Sequence, residues 1–200
     1  MNHDAPPLLA DPSARLESAF RTIHARNMQG LPFVNPALGV EAVGFAPWGI
    51  YWLGVMVTPW SMNLMLTPRD PRAWRPLAFG EKRRYAFPAG PFDFISASTR
   101  DVGEHFVCSL FSPVLEFVDH ASASETARLA RAALFDAHNA EPGDAPAAPP
   151  EHAAQHDEDA TGAAPAPGPI ARVEAGLHVP LSRRDLLRGR VGGVGDEPGR

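Results

Sequence analysis

The sequence predicts an α+β domain: an antiparallel sheet of about five strands flanked by an N-terminal and a C-terminal helix, followed by a disordered tail. Apolar residues alternate with a period of two in the middle of the chain and follow a helical period on either side of it. Beyond residue 138 the chain is too poor in large apolar side chains to build a core. We therefore divide it into a loose tail (1–10), the domain (11–138), an acidic linker (139–169) and a basic tail (170–200).

The first helix is predicted to begin at Asp11 and Pro12 and to end before Gly30. Asp is a favoured N-cap, Pro suits the first turn, and Gly commonly follows the last turn. Its predicted apolar face consists of Leu16, Ala19, Phe20 and Ile23.

The sheet is predicted around an uncharged stretch, Trp48 to Pro68, which holds three of the four tryptophans. Pro59 divides it into two strand-length pieces, so it does not predict a membrane span. The first piece is apolar on both faces, which predicts a strand covered on both sides. One face is predicted to carry Trp48, Ile50, Trp52 and Met56, and the other Tyr51, Leu53, Val55 and Val57.

Further strands are predicted at 40–45, 82–87, 92–99 and 104–112, the last two joined as a hairpin around 101–103. The final helix of the domain is predicted from the capping-box spacing of Ser122 and Glu125. Its predicted apolar face consists of Leu129, Ala130, Ala133, Leu134 and Ala137.

Composition excludes several classes of function. The formal net charge of -5 argues against a general nucleic-acid binder, and the single cysteine, Cys108, excludes a disulfide or a cysteine-based zinc site within one chain. Cys108 and His105 lie three residues apart on a strand, so they point to opposite faces and form no local dyad. The N-terminus lacks a secretory signal, which predicts a cytoplasmic protein. We expect neither catalysis nor a bound cofactor or metal.

Two constellations leave alternatives open. Asp93 and Glu104 lie on the arms of one predicted hairpin, as a carboxylate pair or as separate solvated charges. His152 and His156 have the i, i+4 spacing of metal ligands on a helix. Their Ala/Pro-rich surroundings favour a linker without a metal.

Large apolar side chains beside the predicted turns are candidates for an exposed binding surface. Trp60, Met62, Met65 and Trp74 flank turns, and methionine adapts to apolar partners of varied sequence. The alternative is that these residues are ordinary core.

The tail carries a twin-arginine look-alike, SRRDLLR, composed of Ser182, Arg183, Arg184, Asp185, Leu186, Leu187 and Arg188. It matches the export signature Ser-Arg-Arg-x-Phe-Leu-Lys but lies near the wrong end of the chain, with no apolar region after it. It therefore predicts no export signal. The alternative is an ordinary basic tail.

Four segments in fixed order carry a family resemblance: ARLESAFRTIHARNMQGLPFVNPAL, VTPWSMNLMLTPRDPRAWRPL, FPAGPFDF and FVCSLFSPVLEF. Over roughly Ser13 to Ala137 the chain resembles the HybE/HupJ family of [NiFe]-hydrogenase assembly chaperones. The SRRDLLRG element also looks like that family's C-terminal end, whereas the long acidic linker departs from its pattern.

The resemblance implies a non-enzymatic cytoplasmic chaperone. Its partners would be the small-subunit precursor, with its twin-arginine signal peptide, and the large subunit, and export would wait for assembly. On this reading Trp60, Met62, Met65, Trp74 and Phe79 line a groove for the apolar part of the signal peptide, while Asp70, Asp93 or Glu104 accept from its arginines. We expect no nucleic-acid partner and no direct membrane insertion.

Three alternatives accompany that expectation. The chain could instead be an adaptor between the subunits, or a scaffold that delivers iron–sulfur or metal groups. A further hypothesis is that the look-alike at 182–188 folds back and occupies the groove until a precursor displaces it.

Overall fold

The computed structural model describes residues 8–140, so the predicted linker beyond residue 140 and the basic tail with its look-alike lie outside the described residues, as do His152 and His156. Within the described range the helices are α1 (Ser13–Ile23) and α2 (His120–Ala133). A π-helical turn (His24–Met28) continues α1, and a short 3-10 turn (Ala137–Asn139) follows α2.

Residues 8–140 form six strands in a single antiparallel sheet, ordered β1-β2-β3-β6-β5-β4. The strands are β1 (Glu41–Trp48), β2 (Tyr51–Val57), β3 (Met62–Pro68), β4 (Lys82–Phe87), β5 (Gly90–Thr99) and β6 (Gly103–Phe111). The predicted α+β class and the flanking helices are confirmed, with one strand more than the five or so expected.

The alternation predicted for 48–57 is broken by a turn. Trp48 belongs to β1 and faces Tyr51 across a two-residue hairpin, in which Gly49 has a φ of 56°. A positive φ at the first turn position favours glycine. Because the chain reverses there, Trp48 and Ile50 pack with the face of Tyr51, and only Trp52 and Met56 lie on the other face as predicted.

The sheet is curled so strongly that its edge strands meet through their side chains. Trp48 of β1 stacks on Phe87 of β4 with ring centroids 4.5 Å apart and planes at 11°. The hydroxyls of Tyr51 and Tyr85 are 3.1 Å apart, and burial raises the pKa of Tyr85. The strands therefore wrap around an apolar interior as an open barrel.

Each face of the curled sheet has its own core. The inner core combines the sheet's concave face with α2, including Leu53, Val55, Leu64, Phe87, Phe94, Phe106, Ala123, Ala127 and Leu134. The outer core combines the convex face with α1 and consists of Leu16, Ala19, Phe45, Met56, Met65 and Val102. Since β2 contributes to both, the prediction of a strand covered on both sides is confirmed.

The helix termini differ from prediction in detail. The Asp11 carboxylate accepts from the backbone N–H of Ser13, the first residue of α1, at 2.8 Å, and Pro12 is the N-cap. The N-cap of α2 is Asp119, whose carboxylate accepts from Ser122 N–H at 2.7 Å, so the predicted box of Ser122 and Glu125 is wrong. Asp caps as well as Ser, and the helix begins three residues earlier than that box would start it.

The apolar face of α2 is also rotated from the predicted one. It consists of Ala123, Ala127, Ala130 and Leu134, whereas Leu129 is 37% exposed and Ala137 lies beyond the helix. The alanines have small side chains, which suit a helix packed close to the curled sheet.

Gly54 tests the packing of the outer core. A Cβ at this position would lie 2.3 Å from Cδ2 of Phe45, so we expect Gly54→Ala to lower the free energy of unfolding. The loss should be about 1–3 kcal/mol, the usual cost of overpacking, measured by urea denaturation. The control is Gly39→Ala, whose Cβ would meet the His120 ring at an ordinary 3.7 Å and should change little. Equal stability of the two variants would contradict this packing.

Candidate functional site

The predicted exposure of Trp60, Met62 and Met65 is wrong. Their side chains are 5%, 0% and 1% exposed. Trp60 packs against Phe20 and His24 of the first helical segment, with ring centroids 6.4 and 5.8 Å away. A residue beside a turn is exposed only if no other part of the chain packs over that turn. Here the first helical segment packs over Trp60.

Trp74 and Phe79 do not share a groove with Trp60. Trp74 follows β3 and Trp60 precedes it, so the length of that strand, about 20 Å, separates them. Trp74 is half-buried against Phe106, with ring centroids 4.8 Å apart, whereas Phe79 is 52% exposed. The five apolar residues predicted to form one groove are thus dispersed over two cores and a loop.

The acidic residues predicted to accept from arginines are engaged within the domain. Asp93 accepts from Arg84 at 2.7 Å, and Asp70 accepts from Arg72 at 3.0 Å, which lowers the pKa of Asp70. Glu104 accepts from the indole N–H of Trp74 at 2.9 Å.

The carboxylate pair considered for Asp93 and Glu104 does not form. Glu104 pairs with Ser98 across the hairpin, five residues along β5 from Asp93. An odd separation on a strand places the two carboxylates on opposite faces of the sheet.

Cys108 and His105 also lie on opposite faces, as predicted. Cys108 is buried in the inner core beside Phe94 and Phe106. His105 is 4% exposed, and its Nδ1 lies 2.8 Å from the carbonyl of Gly103. Burial lowers the pKa of His105, so the ring is neutral and donates from Nδ1.

Three segments that carry the family resemblance meet at one end of the sheet. They are the connector 31–38 (LPFVNPAL), the turn 58–61 (TPWS) and the loop 112–119 (SPVLEFVD), in which the resemblance ends at Phe117. Asn35 joins them: its backbone N–H donates to Pro59 O at 2.6 Å, and its Nδ2 donates to Val114 O at 3.0 Å and Phe117 O at 2.7 Å. At 6% exposure, Asn35 acts as a buried polar junction.

The turn contributes its own rigid geometry. Thr58 Oγ1 donates to the carbonyl of Ser61 at 2.8 Å and accepts from the Ser61 N–H at 3.0 Å. Both residues are buried. The Thr58 hydroxyl thus satisfies both buried backbone groups of Ser61, while the Ser61 hydroxyl accepts from Nδ2 of Asn63 at 3.0 Å.

Large apolar side chains are left exposed around this junction. Leu31, Leu115 and Val118, which we call the apolar patch, are 37%, 53% and 83% exposed. Leu115 and Val118 directly follow the residues whose carbonyls Asn35 binds, and Leu31 is joined to Asn35 by a turn in which Val34 N–H donates to Leu31 O. Exposed apolar side chains on neighbouring segments are candidates for a contact site.

Acidic side chains accompany the apolar patch. The connector and the turn carry no charged residue, and the loop carries Glu116 and Asp119, both exposed. Hydrogen bonds from Ser122 lower the pKa of Asp119, which keeps its carboxylate ionised. The neighbouring π-helical turn contains the exposed Arg26, and its His24 ring lies against Trp60.

Sequence reasoning missed the apolar patch because the 112–119 loop was considered only as the end of a strand. The available signal was Leu115, Phe117 and Val118 in a proline-marked irregular segment, outside any helical or strand period.

The chemistry of this site is that of binding. No group of three or more His, Cys, Asp or Glu side chains among residues 8–140 is arranged to hold a metal ion. None of the helices in that range has the length and apolarity needed to cross a bilayer. An apolar surface with carboxylates suits an apolar segment that also carries cationic groups.

Comparisons with known proteins agree on one family. A family model described as [NiFe]-hydrogenase assembly, chaperone, HybE matches residues 11–189. The hydrogenase expression/formation protein HupJ of Bradyrhizobium diazoefficiens is 41% identical over 120 residues, which cover 60% of this chain and 69% of that protein. A protein named probable rubredoxin HupJ, from Rhodobacter capsulatus, is 38% identical over 62% of this chain, but the match covers only 45% of that protein.

A solved structure shares the fold. The solution structure of HybE from Escherichia coli matches with a TM-score of 0.53 and 21% identity, over 84% of this chain and 98% of that chain. At this level of identity the likeness establishes the architecture.

Asn35 should be essential to the junction. Asn35→Ala removes the two hydrogen bonds that the side-chain amide donates and leaves the carbonyls of Val114 and Phe117 unpaired. We therefore expect the free energy of unfolding, measured by urea denaturation, to fall by about 2–3 kcal/mol. Asn139→Ala is the matched control, because Asn139 donates one exposed hydrogen bond to Ala133 O. If both variants lose the same small amount, the junction does not hold these segments together.

Stability should depend on pH through His105. The pKa of His105 in the folded state is lowered below the unfolded value of about 6.5. The folded state therefore binds fewer protons than the unfolded state. The stabilisation from the neutral ring is present above about pH 6.5 and is lost as the pH falls through the folded-state pKa. We expect His105→Asn, which retains an N–H donor, to reduce the fall in unfolding free energy between about pH 7.5 and 5. The exposed His138 is the control, and a His138→Asn variant should retain the wild-type fall. An unchanged fall in His105→Asn would refute this.

Proposed function

The chain belongs to the HybE family of [NiFe]-hydrogenase assembly chaperones, and on that premise we propose that it binds the subunit precursors of such a hydrogenase and delays export until assembly. The proposed ligands are the twin-arginine signal peptide of the small-subunit precursor and the large subunit. Its proposed place of action is the cytoplasm, before export.

The observation that carries this proposal is the apolar patch beside the Asn35 junction. Leu115 and Val118 are held by a loop whose carbonyls are fixed by Asn35, so their exposure comes from a rigid platform. A preorganised surface loses less conformational freedom on binding than a mobile one. The segments that carry the family resemblance converge on this platform, which supports it as the family's common binding surface.

The chemistry of the proposed ligand matches the patch. A twin-arginine signal peptide presents paired guanidinium groups next to an apolar stretch. Leu31, Leu115 and Val118 provide apolar contact area, while the exposed Glu116 provides a carboxylate that accepts from arginine in a bidentate manner. The predicted acceptors Asp70, Asp93 and Glu104 already accept hydrogen bonds within the domain and lie outside this surface.

Trp74 and Phe79 form a second partner-binding candidate, at the opposite end of the sheet. Phe79 is exposed, and the indole of Trp74 is oriented by Glu104. We propose this end for the large subunit, since the separation of about one strand length would allow both ligands to bind together.

The role is one of binding rather than catalysis. The Rhodobacter capsulatus relative is named a probable rubredoxin. Here the sequence offers only Cys108, and its side chain is 5% exposed within the inner core. An iron–sulfur site needs several thiolates, so a delivery scaffold is the less favoured alternative.

Substitutions in the apolar patch should weaken binding of the signal peptide. We expect the double variant Leu115→Ser/Val118→Ser to bind a synthetic twin-arginine signal peptide of a hydrogenase small subunit at least about tenfold more weakly, since each large apolar side chain contributes about 1.5–3 kcal/mol when buried. Fluorescence anisotropy of the labelled peptide measures this directly.

The controls use exposed apolar residues elsewhere on the domain. Leu129→Ser on the outer side of α2 and Phe79→Ser should leave peptide affinity within about twofold, because neither lies in the patch. An affinity that falls equally in all variants, or in none, would rule out the patch as the peptide site. Pull-downs with the isolated large subunit then report whether Phe79→Ser weakens that second contact.

A further inference from the structure

The apolar patch is exposed on the domain, and the same chain carries a segment with the chemistry of its proposed ligand. The tail 182–190 (SRRDLLRGR) pairs arginines with leucines, as a twin-arginine signal peptide does. The family match does not end with the described domain but continues to residue 189, which includes this motif. The look-alike is therefore part of what the family model matches.

We propose that residues 182–188 of this chain dock on its own apolar patch and compete there with the signal peptide. The inference rests on the proposed function, since it assigns a competitor to the same site. Leu186 and Leu187 would cover Leu31, Leu115 and Val118, and Arg183 or Arg184 would donate to Glu116. The apolar patch thus takes the place of the predicted groove around Trp60 and Met62, because both of those side chains are buried.

Charge favours the tail segment 182–190 over a second copy of the domain as the occupant of the apolar patch. The tail segment has four arginines and one aspartate. The three segments that form the junction carry only acidic residues among 31–38, 58–61 and 112–119, namely Glu116 and Asp119. A second copy of the domain would bring the same carboxylates together, which is unfavourable.

The connection is long enough. The described chain ends at Ala140, beyond the C-terminus of α2, whereas the patch lies at the N-terminus of that helix. The helix has 14 residues and is about 21 Å long. The 42 residues from Ala140 to Ser182 can span up to about 140 Å, so the motif can return to the patch. Because the ligand is tethered, even weak docking competes with a free peptide.

Photocrosslinking in the full chain tests the docking. A photoreactive benzoylphenylalanine replaces Leu115, and an identical probe at the equally exposed Phe79 is the control. After irradiation, mass spectrometry should find residues 181–190 joined to position 115 and not to position 79. Irradiating a mixture of unlabelled and ¹⁵N-labelled protein identifies the source of the tail. Mixed-label products would mean docking between copies and would overturn the intramolecular proposal.

The second arm measures competition. In the full chain, Arg183→Ala/Arg184→Ala/Leu186→Ala/Leu187→Ala should increase affinity for the twin-arginine signal peptide at least fivefold and abolish the cross-link at position 115. The control variant Arg172→Ala/Arg200→Ala removes two tail arginines outside the motif and should leave affinity unchanged.

The outcomes separate the two proposals. Peptide binding that depends on Leu115 and Val118 but does not respond to the four tail substitutions overturns self-docking and leaves the proposed function intact. An intramolecular cross-link at position 115, with no peptide binding by either form of the protein, supports self-docking and overturns signal-peptide recognition. Absence of the cross-link together with unchanged affinity overturns the self-docking inference.

Discussion

The stacking of Trp48 on Phe87 is the contact on which the rest of the domain depends. It joins edge strands that no backbone hydrogen bond connects, and with the Tyr51–Tyr85 hydroxyl contact it holds the sheet in its curled form. If the six-stranded sheet were flat, the face that is now concave would be open to water, because α2 alone could not cover it. Once the sheet curls, aromatic residues of β2, β4 and β5 pack edge to face across a common interior, and Phe106 of β6 makes tilted contacts with Tyr85 and Trp74.

That closure determines which residues remain for binding. Met56, Met62 and Met65 of the central hairpin fill the inner and outer cores, and Trp60 is covered by the first helical segment, so these side chains cannot also form an adaptable surface. The exposed apolar area lies instead on irregular segments at the end of the sheet. Asn35 gives those segments a fixed shape, because its single buried side chain binds two carbonyls of the loop that presents Leu115 and Val118.

This arrangement is compatible with membership of a family of assembly chaperones. The apolar groups needed to grip an apolar segment are few and are rimmed by carboxylates, which limits non-specific association. Their platform combines the buried hydrogen bonds of Asn35 with the packing of Val114, which is fully buried in the inner core.

The α+β class, the turn at Pro59, the hairpin around 101–103 and the strand 82–87 could be predicted from local patterns, because period-two alternation and proline or glycine turns are local properties of the chain. The opposite orientation of Cys108 and His105 could be predicted in the same way. Tertiary contacts were needed to show that Trp60, Met62 and Met65 are buried, that Asp93 and Glu104 point away from each other, and that Leu115 and Val118 are exposed. Burial depends on what packs over a residue from distant parts of the chain, here α1 over Trp60 and nothing described over Val118, and no local pattern contains that information.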